Sequence, residues 1–129
     1  MGINLKLMPL NDVRQLNGEV YPKDELYFDR DYRILAQIAN IEGESEMPEE
    51  GLEAVVKTWP LPPSVQVYIN IDDKFQLTRE NPYGNEMVYA TAIEMKKIKA
   101  PQDVSPHNKA ILAYLKALED NIPIILEWH

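Results

Sequence analysis

Val65-Gln66-Val67-Tyr68-Ile69-Asn70-Ile71-Asp72-Asp73-Lys74 is the stretch on which the fold turns. Val65, Val67, Ile69 and Ile71 alternate with Gln66, Tyr68, Asn70 and Asp72, and a period of two marks a strand with one face on a core and one in water. Asp72-Asp73-Lys74 then supplies the turn into residues 75–79, so the stretch reads as a β-hairpin.

Downstream, Asn81-Pro82-Tyr83-Gly84-Asn85 is a second turn, and residues 87–90 read as extended. Thr91 is expected to cap a short helix running through Ile98, with Glu94 completing a capping box. Ser105-Pro106 is a cap followed by proline at the first helical position. Ile111, Leu112, Leu115 and Leu118 then form an apolar stripe along a helix ending near Asn121. Residues 122–128 read as a closing strand, with Pro123 at its start, where a missing donor is tolerated.

Upstream, Trp59-Pro60-Leu61-Pro62-Pro63 reads as a rigid connector in preference to a polyproline ligand. It closes a short helix expected over residues 52–58, with Leu52, Val55 and Val56 inward. Residues 42–53 hold six glutamates and no base, together with Gly43, Pro48 and Gly51, and read as a solvated loop. Asp29 or Asp31 is placed to cap a helix whose apolar positions are Ile34, Leu35, Ile38 and Ile41. Residues 11–25, with Asn17-Gly18 and Tyr21-Pro22, read as a loop or hairpin, and residues 3–10 as a first strand with Ile3, Leu5 and Leu7 on one side. The pattern predicts one α+β domain over residues 1–129, an antiparallel or mixed sheet with helices packed on one face. Residues 65–71 and 122–128 are each expected at a sheet edge that needs cover, which favours a homo-oligomer.

Composition narrows the chemistry. The 129 residues are 45% hydrophobic and 26% charged, ordinary globular usage. No apolar run is long enough to cross a bilayer and no leader pattern opens the chain, so a cytoplasmic location is expected, with no membrane partner. The absence of cysteine removes disulfides, thiolate nucleophiles and thiolate metal sites. A net charge of −8 opposes non-specific binding to nucleic acid, although a local basic pocket can still hold one small anion. His107 and His129 have no metal-ligand spacing; Ser45, Ser64 and Ser105 lie in turn or cap contexts without a nucleophile elbow; the five glycines form no phosphate loop. The acid pairs Asp29 with Asp31 and Asp72 with Asp73 are read as caps and turns, so no metal, no cofactor and no catalytic residue is expected.

The residues suited to recognition gather around two turns. Arg79, Asn81, Tyr83, Asn85 and Tyr89 surround one, and Arg30, Tyr32 and Arg33 open the first helix. Tyrosine offers a stacking face with a polar tip, asparagine reads donor and acceptor edges together, and arginine grips phosphate or carboxylate bidentately. Arg30, Tyr32, Arg33, Arg79, Tyr83, Asn85 and Tyr89 are therefore the candidate ligand-binding residues. The competing reading makes Tyr32 and Tyr89 core aromatics and the arginines surface ion pairs. Lys96-Lys97-x-Lys99 suits the C-terminal end of a short helix.

Met1-Gly2-Ile3-Asn4-Leu5, Arg30-Asp31-Tyr32-Arg33-Ile34-Leu35-Ala36 and residues 84–95 resemble segments of a loose family of small, mostly uncharacterised bacteriophage proteins. Where that family commonly shows histidines after the glycine, this chain has Asn85 and Met87. The resemblance, with the missing catalytic parts, implies a non-catalytic accessory protein that binds and sequesters a host component, for instance a nucleotide-like signal of antiviral defence. The alternatives are an acidic protein–protein inhibitor of a host factor using residues 42–53 or the Trp59 turn, and a small hydrolase with a site assembled from distant carboxylates.

Overall fold

A computed structural model describes residues 4–11, 16–38, 54–71 and 73–128. Ile3, Ile41, the acidic stretch from residue 42, Leu52, Asp72 and His129 lie outside the described residues. The chain is α+β, with three layers: helices, a five-stranded sheet, and a three-stranded sheet behind it.

The central layer explains the most apolar segments. β1 (Leu5–Pro9) and β8 (Pro123–Trp128) are buried at every position and pair antiparallel from Leu5↔Trp128 to Pro9↔Ile124. A strand covered on both faces is apolar in both phases, which is why residues 122–126 form a continuous hydrophobic run instead of alternating. Leu5, Leu7, Ile124, Leu126 and Trp128 face one core, while Met8 and Ile125 face the other. β7 (Val88–Thr91) lies on the far side of β8, and the sheet is completed by β3 (Leu26–Tyr27) and β4 (Trp59–Pro60), in the order β3-β1-β8-β7-β4 with every pair antiparallel.

The hairpin forms as expected. β5 (Gln66–Ile71) and β6 (Lys74–Thr78) pair from Ile71↔Lys74 to Val67↔Thr78, and Asp73 takes the left-handed φ of 64° that such a tight turn requires. Val65, Val67 and Ile69 pack with Met8, Met87 and Ile125 between the two sheets. β2 (Glu19–Val20) adds parallel to β5, so part of the segment read as a loop or hairpin is a strand, and its partner is the distant β5. β5 lies between β2 and β6, and β8 between β1 and β7; among the described residues the edges are β2, β6, β3 and β4, not the two strands expected there.

The three helices among the described residues cover the outer face of the five-stranded sheet. α3 (Pro106–Ala117) starts as expected, Ser105 Oγ accepting from the Asn108 amide, and buries Ile111, Leu112 and Leu115. Asn108, itself buried, accepts from the Asp29 N–H at 2.7 Å and donates to the Asp29 carbonyl at 2.9 Å, fastening the loop after β3 to the helix.

α1 is only Tyr32–Leu35, capped by Asp31, and does not continue toward residue 41. The Gln37 carbonyl, which a longer helix would use internally, accepts from the amides of Val55 and Val56 at 2.9 Å each. The Gln37 side chain donates to the carbonyls of Arg33 and Lys99 and accepts from the Lys99 amide. Residues 54–58 are accordingly extended, not helical: Val56 is buried and bridges Ile38, while Val55 is exposed. α2 (Ala92–Met95) also stops short of Ile98. Its expected capping box is absent, since the Thr91 side chain makes no cap bond and Glu94 instead accepts from the Lys57 amide and from Lys97 Nζ.

The proline run is more than a connector, because Trp59-Pro60 is the edge strand beside β7, with Trp59 opposite Tyr89. Proline is tolerated there because an edge strand needs only half its donors.

Candidate binding face

The seven residues read as ligand-binding fall into two groups on opposite faces of the five-stranded sheet. Arg30, Tyr32 and Arg33 belong to the helical layer. Arg30 is exposed and donates to Asn4 Oδ1 at 3.4 Å, and Tyr32 is exposed and not a core aromatic. Arg33 closes a two-point pair on Asp31 at 3.0 and 2.9 Å and donates to the Gln102 carbonyl at 2.7 Å. That guanidinium holds the Asp31 carboxyl below its ordinary value.

Arg79 follows β6 on the other side. Its Nη1 donates to the carbonyls of Pro62 and Val65 at 2.6 Å each and its Nη2 to that of Leu61 at 3.0 Å, with Glu86 3.7 Å from Nε. The side chain clamps the turn between β4 and β5. The loop from Asn81 to Asn85 is organised from within: buried Asn81 accepts at Oδ1 from the amides of Tyr83 and Asn85, both at 3.0 Å, and Gly84 takes a φ of 85°. Tyr83 is exposed, Asn85 half-buried, and Tyr89 packs on the second core with its ring 5.9 Å from that of Trp59.

Among the described residues, a different group of side chains has no partner layer. The three-stranded sheet has one face on the core, and its other face carries Tyr21, Tyr68 and Phe75, which are 55%, 38% and 58% exposed. Val20↔Val67 sets Tyr21 beside Tyr68, and Tyr68↔Leu77 sets Phe75 on the diagonal, a distance that aromatic rings span. The Tyr21 and Tyr68 centroids are 5.2 Å apart at 46°, and those of Tyr68 and Phe75 are 5.2 Å apart and nearly parallel at 14°. Gln66 and Asn70 flank Tyr68 on the same exposed side. Three rings thus form a continuous row across β2, β5 and β6. The sign legible in the sequence was an aromatic residue in the polar phase of the hairpin at Tyr68; the other two rings join it only once strand register is known.

Two tyrosines, Tyr21 and Tyr27, each hold a carboxylate two residues before them. Tyr21 donates to Glu19 at 2.7 Å, a bond that raises its phenol above the ordinary value. Burial, aided by a 2.9 Å bond donated to Glu25, pushes the Tyr27 phenol up to about 12. The folded state favours the neutral phenol, so this contribution is complete below the ordinary value of 10.0 and is lost as pH rises through about 12. An ultraviolet absorbance titration is expected to show one late tyrosine step that disappears in Tyr27→Phe. If all steps of the wild type finish near the ordinary value, the Glu25 contact does not hold in solution.

Among the described residues no group of three His, Cys, Asp or Glu side chains gathers to hold a metal ion, and no helix is long and apolar enough to cross a membrane. His107, exposed in the first turn of α3, faces the Tyr27 carbonyl. Comparison with protein families, with curated proteins and with solved structures finds no match for this chain.

Proposed function

We propose that this chain is a non-catalytic binding protein that captures a protein partner on the outer face of its three-stranded sheet. The row Tyr21–Tyr68–Phe75 carries this reading: neighbouring aromatic rings standing on a sheet face and left in water are the side chains that dominate protein–protein binding energy when a partner covers them. A net charge of −8 opposes nucleic acid and directs the face toward a neutral or basic protein surface. The reading replaces a small-anion pocket at the Arg79 turn, because Arg79 there already donates to three carbonyls. Sequestering a host component, the role implied by the resemblance to small bacteriophage proteins, suits such a surface, since occupying a partner requires no reaction. The host cytoplasm is the corresponding location.

The test is capture from a bacterial extract on immobilised protein, wild type against Tyr21→Ser/Tyr68→Ser, followed by calorimetry with whichever purified protein the wild type retains. The double variant is expected to bind that protein about 100-fold more weakly, as loss of two interfacial aromatics does, with its thermal midpoint little changed. Equal affinity of the two forms would overturn the assignment.

A further inference from the structure

We propose that the bond between Asn17 and Gly18 is a site of spontaneous covalent change, at which Asn17 converts to aspartate and isoaspartate and loosens the Tyr21 end of the aromatic row. The inference goes beyond the binding role above: the conversion needs no partner, and only its effect on capture rests on that role.

Asn17 is the one asparagine of the chain that precedes glycine. The reaction begins when the Gly18 nitrogen attacks the Asn17 side-chain carbonyl. A bond forms from Gly18 N to Asn17 Cγ, the bond from Cγ to Nδ2 breaks, and ammonia leaves with the proton given up by the Gly18 amide. Water then opens the cyclic imide. Addition at Cγ breaks the new bond and leaves aspartate. Addition at the Asn17 main-chain carbonyl carbon breaks the original peptide bond and leaves isoaspartate, in which the chain runs through Cβ and Cγ. Water enters, ammonia departs, and nothing is oxidised or reduced.

The requirements of the first step are met at this bond. Glycine carries no side chain to clash with the two imide carbonyls that flank its Cα. Nothing lies within 4 Å of where a Gly18 Cβ would stand. Asn17 is exposed, and among the described residues no hydrogen bond engages its carboxamide or the Gly18 amide. Gly18 holds a left-handed φ of 63°, so the residue that makes the bond vulnerable is also the one the backbone favours there. Every other asparagine precedes proline or a residue with a side chain. Asn81 precedes Pro82, whose nitrogen has no proton to give up. Asn108 is buried in α3 with both ends of its amide bonded to Asp29, and Asn70 precedes the β-branched Ile71 within β5.

The bond sits where β2 begins. The Gly18 carbonyl accepts from the Gln66 amide at 3.0 Å, the rung that opens the pairing of Val20 with Val67 and sets Tyr21 beside Tyr68. Isoaspartate inserts a methylene into the main chain directly ahead of that rung and adds a negative charge close to Glu19. β2 has only Glu19 and Val20 with which to hold its register, so the rung opens and the Tyr21 ring leaves Tyr68. The row shortens from three rings to two. Fresh chains thus present the full face and aged chains a diminished one.

Peptide mapping of purified protein held for days in mildly alkaline buffer at body temperature tests this. The tryptic fragment of residues 15–23 should progressively lose its unmodified form, gaining the mass of an amide exchanged for a carboxylate and accepting methyl groups from an isoaspartyl methyltransferase. Fragments holding Asn70, Asn81 and Asn108 should stay unchanged. Asn17→Gln, which would have to close a larger ring, should keep its unmodified fragment and the wild-type thermal midpoint. In converted protein the Gln66 amide should lose most of its hydrogen-exchange protection while the α3 amides keep theirs. An unchanged fragment 15–23, or equal conversion in Asn17→Gln, would overturn the site. Undiminished Gln66 protection after conversion would overturn its link to the row. No partner is present in any of these measurements, so their failure is read separately from failure of capture.

Discussion

Lys6→Met is expected to remove about 3–5 kcal/mol of folding free energy, the largest loss from any single substitution considered, because it takes away the ammonium that faces the Glu127 carboxylate in the protein interior. Both residues are only 3% exposed. They are cross-strand partners of β1 and β8, with Nζ 3.1 Å from Oε2. A second carboxylate, Glu25, stands 3.7 Å from the same ammonium, and the Tyr27 ring lies 5.8 Å below it. Taking two charges out of water costs nearly what their attraction returns, so the pair adds little net stability while either half alone is costly. Lys6→Met/Glu127→Leu should therefore recover most of the loss. Urea unfolding of wild type, single and double variants measures this directly. A double variant as unstable as Lys6→Met would show that the ion pair itself, and not the buried carboxylate deprived of its ammonium, carries the stability.

Arg79→Leu should cost about 3 kcal/mol by leaving the carbonyls of Leu61, Pro62 and Val65 without their shared donor. Arg79→Lys should restore little of it, since a single ammonium cannot reproduce a planar fork reaching three acceptors. Hydrogen exchange gives the local readout: the Val65 amide, bonded to the Pro62 carbonyl at 2.9 Å, should lose protection ahead of the α3 amides in either variant. Full rescue of the thermal midpoint by lysine would contradict the clamp.

The same side chain shows where reading a sequence stops. The hairpin, α3 and β8 were legible because their causes are local: alternation beside a turn, a Ser-Pro start and an apolar run. Arg79 has its acceptors 14 to 18 residues earlier, in a turn whose position depends on two other strands, so its use as a clamp leaves no local trace. Gln37 is alike, ending α1 through Val55, Val56 and Lys99, and the amphipathic spacing of Ile34, Leu35 and Ile38 gave no warning because all three are buried anyway. Tyr68 and Phe75 come from β5 and β6 and Tyr21 from the residue after β2, which runs parallel to β5, and only pairing register brings them together. Of the recognition residues read from their grouping around two turns, Arg33 and Arg79 are engaged within the fold, whereas Arg30, Tyr32 and Tyr83 stand exposed.

The pairing of β1 with β8 also governs how this chain comes together in time. Lys6 and Glu127 stand side by side although nearly the whole sequence separates them, so the middle of the main sheet closes only after the longest loop in the molecule has been ordered. Chains dominated by such distant contacts fold in milliseconds to seconds, not microseconds. During that interval β1 waits with two apolar faces uncovered, while the local hairpin of β5 and β6 forms within about 10 µs. β8 is a strand whose two faces join the two cores, Ile124 and Leu126 in one and Ile125 in the other.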